Sequence, residues 1–176
     1  MTHNPLRRAA AAAALLAVFA LGGCAGYRVG DISGRNIQGV QSVYVPVVKN
    51  ASLEPDVQVI ATDAIIQRFN SDGTLEVNQN ANADSELDVV ITDVKRTAVA
   101  SAVNNILVTS EYQLNIVGKA TFVNRKLGRK IFENVVVNGT TTFFTQSDIL
   151  EGERQALPLA AQDLGNNVVK LVTDGW

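Results

Sequence analysis

The chain has 176 residues, of which 47% are hydrophobic and 18% are charged, with a formal net charge of −2. After loss of an N-terminal signal, this length predicts one domain with enough chain for a real core. The only histidine, His3, and the only cysteine, Cys24, both lie near the start. Beyond residue 24, a Ser-His-Asp or Cys-His catalytic arrangement and a Cys/His zinc site are therefore excluded.

The first 24 residues have the order of a secretory signal. Two arginines, Arg7 and Arg8, precede an apolar run over residues 9–23, and small residues lead into Cys24. The run is shorter than the roughly 20 apolar residues that span a bilayer. Its ending, "LGGC", resembles the lipobox of bacterial lipoproteins, which implies that Cys24 becomes the acylated first residue.

Two other interpretations of this N-terminus stay open: an unmodified signal peptide with a stray thiol, and a twin-arginine export signal. Several acyl chains would anchor the protein firmly, whereas one chain binds only marginally. Ala25 occupies the position where an aspartate would favour the inner membrane in enteric bacteria, so we expect the outer membrane. The predicted organisation is a signal peptide over 1–23, a lipid-anchored linker over 24–40 and a folded α+β domain over 41–176.

The folded part is predicted to begin with a strand and a helix. Residues 42–48 alternate, with valines on one face, as in a half-buried strand. Pro46 removes one ladder donor there, which favours an edge or an interrupted pairing. Pro55 is expected near the first helical turn. Apolar residues then recur at helical spacing over 57–69, and Gly73 ends the helix.

Three long strands are predicted in the middle of the chain. Residues 87–92 alternate in part, and residues 111–122 alternate more cleanly between apolar and polar. A turn at 126–128 leads into residues 131–144, which are rich in Val, Thr and Phe. Asn138-Gly139 within this last run is ambiguous, because Asn-Gly also forms tight hairpins. We favour a bulge in one long strand.

The C-terminal segment is predicted to be helical. Asp148, with Glu151 three residues later, resembles a capping box, and an apolar stripe follows over 157–172. Pro158 is expected to kink or restart this helix because it lacks an N–H. The order of elements predicts an α+β two-layer sandwich, with a mixed or antiparallel four-stranded sheet and two helices packed on one face.

Paired carboxylates are the remaining enzymatic possibility, since they could support glycosidase-like acid–base chemistry. Asp84, Glu86, Asp88 and Asp93 lie close together in the sequence. Their loop and strand-face positions favour solvated side chains instead. The sequence has no Walker loop, dinucleotide-binding glycine motif or EF-hand loop. We expect no catalytic residue, no metal site and no cofactor.

Positive charge is concentrated in the central strands. Between residues 95 and 130, seven basic residues stand against a single acid, Glu111. Because cations pair strongly with phosphate, six of them are predicted to form one anion-binding edge: Lys95, Arg96, Arg125, Lys126, Arg129 and Lys130. The alternative is a solvated hairpin tip whose lysines protect a sheet edge. Nucleic acid is not expected, because the chain is exported and acidic.

The segment 97–110 is apolar but irregular. Exposed apolar loops often mark a partner surface, and as a connection this one would expose Val99, Val103, Ile106, Leu107 and Val108. The alternative is that the flanking strands extend and pair. Phe143, Phe144 and Trp176 are expected to pack in the core or at a helix end.

Several stretches, taken in order and spacing, carry a resemblance over nearly the whole chain after the lipobox. They are "GCAGYRVG", "VYVPVVKN", "LEPDVQVIATDAIIQRFNSDG", "ADSELDVVITDV", "EYQLNIVGKATF" and "ERQALPLAAQDLGNNVVKLV". Together they resemble the LptE family of lipopolysaccharide-assembly lipoproteins, also called rare lipoprotein B. The resemblance implies a mixed sheet with two helices on one side, in agreement with the fold predicted from the pattern.

The resemblance also implies a function that is not enzymatic. Members of the family plug an outer-membrane β-barrel of the LptD type, assist its assembly and bind lipopolysaccharide. The implied partners are therefore the barrel, lipopolysaccharide and the outer membrane, where an acyl anchor holds the periplasm-facing domain. Two alternatives stay open: an outer-membrane lipoprotein that scaffolds periplasmic proteins without binding glycolipid, and a carboxylate-based hydrolase.

Overall fold

The computed structural model describes residue 37 and residues 39–80, 82–100, 110–145 and 149–174. Several predictions lie outside these residues. They concern the signal peptide, Cys24 and most of the linker, the apolar residues Val103, Ile106, Leu107 and Val108, the capping residue Asp148, and Trp176.

The described part of the chain contains six strands and two helices. The strands are β1 (Ser42–Tyr44), β2 (Lys49–Asn50), β3 (Glu76–Val77), β4 (Ser85–Ala100), β5 (Ser110–Asn124) and β6 (Arg129–Thr145). The helices are α1 (Val57–Asp72) and α2 (Ile149–Thr173). Neither helix is long and apolar enough to cross a membrane.

All six strands belong to one mixed sheet with the order β3-β1-β4-β5-β6, and β2 pairs with β4 farther along. β1 is parallel to β3 and β4, and β2 is parallel to β4, whereas β4, β5 and β6 are antiparallel. The α+β class is confirmed, but the prediction of four strands was wrong. Pro46, which has no N–H to donate, lies between β1 and β2 and splits the first predicted strand, and residues 76–77 add β3.

One face of the sheet carries the core, as alternation requires. Leu87, Val89 and Ile91 of β4 and Leu114 and Ile116 of β5 are all buried, because residues two apart point to the same side of a strand. The helix α2 packs over β5 and β6, and α1 packs against α2. The domain is therefore a two-layer sandwich. The helices pack on one face of the sheet, as predicted from their apolar stripes.

The Asn138-Gly139 pair lies inside β6, in register with Val117 and Ile116 of β5. One long strand is confirmed, but the bulge is not at this pair. The register shifts near Phe122 of β5 instead, opposite the part of β6 where Asn134 has a positive φ of 54°. Gly139 has another role: a Cβ there would overlap backbone atoms of α2, so glycine permits the close approach of helix and sheet.

The structure adds detail to the sequence prediction at both helices. The helix α1 begins at Val57, after Asp56 in the left-handed conformation with φ of 60°, so Pro55 precedes the first turn. The helix α2 continues through Pro158 without restarting. Proline is tolerated there at the cost of one helical hydrogen bond.

Candidate functional site

Strand register decides whether the six basic residues predicted to share an anion lie together. Asn124, at the end of β5 and just before Arg125, pairs with Ser85 at the start of β4. Lys95 and Arg96 lie much farther along β4 and pair near the beginning of β5. At the rise of a strand the separation along β4 is about 35 Å. The prediction of one six-residue anion-binding edge was therefore wrong.

The basic residues form two groups at opposite ends of the sheet. We call Arg125, Lys126, Arg129 and Lys130, around the turn between β5 and β6, the turn cluster. We call Lys95 and Arg96, toward the far end of β4, the distal pair. Each group has its own acidic partners.

Lys126 of the turn cluster holds the segment that leads into β1. Its Nζ donates to the backbone oxygen of Gly39 at 3.1 Å and lies 2.9 Å from a carboxylate oxygen of Asp84. The same oxygen of Asp84 accepts the backbone N–H of Gln41 at 2.8 Å. Lys126 and Asp84 therefore bind the backbone of residues 39–41 at the end of the sheet.

Arg125 and Lys130 of the turn cluster are paired within the domain as well. Arg125 lies 2.6 Å from the Glu86 carboxylate, and its guanidinium sits 5.6 Å from the centre of the Tyr44 ring. Lys130 lies 2.5 Å from Glu133, and Arg129 is exposed at the start of β6. Much of the charge in this turn is neutralised by neighbouring carboxylates.

The carboxylates considered as acid–base candidates are partners in these ion pairs. Asp84 and Glu86 pair with the turn cluster, Asp93 lies 3.1 Å from Lys95, and Asp88 lies 3.8 Å from Lys49. The backbone N–H of Gln41, followed by Lys126, holds the pKa of Asp84 below its ordinary value. Among the described residues, no group of acidic, histidine or cysteine side chains is arranged to hold a metal ion.

The distal pair is divided between the two faces of the sheet. Lys95 pairs with Asp93 on the same strand face, which alternation places away from the helices. Arg96 pairs in register with the buried Leu114, so it faces the helical layer. There its Nη1 lies 2.6 Å from a carboxylate oxygen of Glu153 on α2.

Glu153 was missed in the sequence, although it stands one turn before Ala156 and Leu157 on the apolar stripe. Its side chain is only 6% exposed, and its other oxygen, Oε1, has no hydrogen-bond partner among the described residues. Burial raises the pKa of this carboxyl, which Arg96 opposes and the charge of Glu54 reinforces. A charged residue on an apolar helix face was the signal that could have identified it.

Exposed apolar side chains lie at the same end of the sheet. Val99 is 55% exposed, and it is the one residue of the predicted apolar surface that lies within the described residues. Phe143 is buried and stacks on Tyr112 with ring centres 5.7 Å apart. Phe144 is 63% exposed, so the prediction that it packs in the core was wrong. This end combines cations with apolar surface.

One protein-family model matches the part of the chain that contains both groups of basic residues. The family model LptE, described as lipopolysaccharide-assembly, matches residues 40–170. The chain belongs to this family. LptE proteins are lipoproteins of lipopolysaccharide assembly and not enzymes, in agreement with the expectation drawn from the sequence.

Solved structures support the fold of this LptE family member. CT253 from Chlamydia trachomatis, a hypothetical protein, is 11% identical, with 76% of this chain and 95% of that chain covered and a TM-score of 0.54. A neuraminyllactose-binding hemagglutinin homolog from Helicobacter pylori is 10% identical, with 84% and 89% covered and a TM-score of 0.51. At these identities the similarity shows the fold alone. No curated protein matches the sequence.

Proposed function

We propose that this protein is the lipoprotein partner of a lipopolysaccharide-inserting β-barrel in the outer membrane, which it plugs and helps to assemble. The observation that carries the proposal is the LptE match over residues 40–170. The domain would face the periplasm, held by acyl chains on Cys24. No cofactor takes part, and the barrel and lipopolysaccharide are the partners.

The proposed organisation is a signal peptide over 1–23, an acylated linker from Cys24 and the LptE domain. The structure supports an earlier start for the folded part than residue 41. Ile37 and Val40 are buried in the core, and Lys126 holds Gly39. We therefore propose that the linker ends before Ile37.

The distal pair is one candidate for contact with lipopolysaccharide. This ligand carries phosphates beside acyl chains, so its recognition favours cations next to apolar surface. Arg96 keeps 46% of its side chain exposed, and the exposed Val99 follows three residues later on β4. Phe144, also exposed, lies on the opposite face of the sheet from Arg96, which is the face of Lys95. The turn cluster is a second and separate candidate. Three of its four cations have acidic partners within the domain, as both cations of the distal pair do.

Binding of purified lipopolysaccharide tests this assignment. Replacing Lys95 and Arg96 together by glutamine should weaken binding about tenfold or more at low salt and less at high salt. Replacing Lys49 and Lys119 by glutamine removes the same charge from exposed residues outside both groups and serves as the matched control. An equal loss in both variants would show nonspecific attraction and would contradict a distal site.

Association with the barrel separates the proposal from the alternative of a glycolipid-free scaffold. We expect co-purification with a large outer-membrane β-barrel, and depletion should leave that barrel immature and reduce surface lipopolysaccharide. A scaffold that does not act on glycolipid would leave surface lipopolysaccharide unchanged. For the apolar surface, Val99→Asp should weaken co-purification, whereas Leu127→Asp, at an exposed apolar residue of the opposite end, should not.

A further inference from the structure

The ion pair between Arg96 of β4 and Glu153 of α2 joins side chains that differ strongly in solvent exposure. Glu153 is almost completely buried, whereas nearly half of the Arg96 side chain faces solvent. Within this pair, only Nη1 of the guanidinium donates to the carboxylate, at 2.6 Å. Arginine carries five N–H donors in a planar fork, so donors remain for an external ligand.

Stability alone is a weak reason for this arrangement. Moving a carboxylate out of water is costly, and a buried ion pair often gains no more than an apolar pair of similar volume. Here the cost is increased because Oε1 of Glu153 has no partner among the residues that the structure describes. Glu54 adds a second negative charge nearby. Stability therefore does not account for the burial of Glu153.

Arginine is a flexible side chain, and fixing it on a ligand costs conformational entropy. An anchored guanidinium has already lost part of that freedom, so it binds a phosphate with a smaller further loss. Glu153 is suited to be the anchor, because its own side chain is fixed by burial on α2. The pair also fixes the position of Nη1, the atom through which the guanidinium is anchored.

We infer that Glu153 is a positioning residue, which orients the Arg96 guanidinium for a phosphate group of lipopolysaccharide. This inference rests on the proposed function and extends it to a residue on a different element. It gives a prediction opposite to simple electrostatics. Removing an acid makes this end of the domain more positive and should strengthen binding to an anion, whereas loss of an orienting residue should weaken it.

The test measures binding of phosphorylated lipopolysaccharide to the acylated, detergent-solubilised protein. Glu153→Gln should weaken binding about three- to tenfold, despite the more favourable charge. Glu151→Gln removes the same charge from an exposed position on the same helix, and it should leave binding unchanged or slightly stronger. Arg96→Gln should weaken binding, and adding Glu153→Gln to it should cause no further loss.

A second measurement does not depend on the ligand. Nitrogen NMR relaxation of the Arg96 guanidinium should show a rigid side chain in the wild type and a mobile one in Glu153→Gln. Unchanged or tighter binding by Glu153→Gln, or equal guanidinium mobility in both proteins, would overturn the positioning role while leaving the proposed function intact. Failure of the wild type to bind lipopolysaccharide would overturn the proposed function itself, and with it the phosphate-directed role of Glu153.

Discussion

Gly139 sets the distance between the sheet and α2. Its missing side chain leaves room for the backbone oxygen of Ala160 and the backbone nitrogen of Leu164. Backbone atoms in a packed helix move only if the whole helix moves, so a larger residue cannot be accommodated by a change of rotamer. The Asn-Gly pair is therefore a packing feature in the middle of a strand.

Gly139→Ala should destabilise the domain by about 2–4 kcal/mol, because the new methyl group overpacks a helix–sheet contact. Urea unfolding followed by circular dichroism measures the change. Gly118→Ala is the matched control on β5. Its Cβ would meet the Val90 oxygen at 3.2 Å, so we expect a loss below about 1 kcal/mol. Similar losses in the two variants would contradict the role given to Gly139.

Asp84 should make stability depend on pH in acid. Its pKa is lowered in the folded protein, first by the Gln41 N–H and then by Lys126. The folded state therefore binds fewer protons than the unfolded state near this pKa. The stabilisation is complete above the ordinary carboxyl pKa of about 4 and is lost as the pH falls below it.

Asp84→Asn should lower the free energy of unfolding by about 1–2 kcal/mol at pH 7, as expected for charge-assisted hydrogen bonds. The difference between wild type and variant should shrink as the pH falls from about 5 toward 3. Comparing the two proteins at each pH cancels the opposite contribution of Glu153, whose pKa is raised. A difference that is constant over this range would contradict the assignment.

At the scale of elements, α2 protects the exposed edge of β6. Oδ2 of Asp163 accepts the backbone N–H of Thr140 at 2.9 Å, and Nδ2 of Asn167 donates to the backbone oxygen of Asn138 at 2.8 Å. The two helical residues are four apart and so lie on one face of the helix. Unpaired edge strands can pair with other chains. These two side chains bind backbone groups of β6 that another strand would otherwise pair with.

Replacing Asp163 and Asn167 together by alanine should expose this edge and promote self-association. Light scattering of the purified protein at increasing concentration measures it. Gln162→Ala with Asn166→Ala changes two exposed polar residues of the same helix at the same spacing and should have no such effect. Equal association in both double variants would show that loss of polar surface, and not the edge, is responsible.

At the scale of the whole molecule, the two ends of the sheet differ. The end with β1 holds residues 39–41, which follow the proposed linker, through Asp84 and Lys126. The other end carries Arg96 and, three residues later on the same strand, the exposed Val99. In the proposed function, the tether leads into one end of the domain and the candidate ligand surface lies at the other.

Cys24→Ser should release the protein from the membrane, because it removes the proposed attachment point of the acyl chains. Mass spectrometry of the native protein should find acylation on residue 24, and membrane fractionation should find the variant in the soluble periplasmic fraction. Ala25→Ser, which keeps the cysteine, should remain acylated and membrane-bound. An unmodified Cys24 in the wild type would contradict the anchor.

Local patterns made much of the fold predictable. Alternation identified the strands that became β4, β5 and β6, and helical spacing identified α1 and the apolar stripe of α2. The same patterns could not give the register of β4 against β5, which separates Arg96 from Arg125 by the length of the sheet. Register depends on pairing between distant segments, and a run of local residues carries little information about it.

The sequence by itself determined the class of fold and the resemblance to the LptE family, and it predicts an export signal with a single cysteine, since each is a property of consecutive residues. Only the tertiary structure decided which charges meet. It placed Lys126 on Asp84, brought Arg96 to Glu153 from another layer and left Phe144 exposed. These outcomes depend on which segments pack together, because burial and ion pairing are properties of neighbours in space.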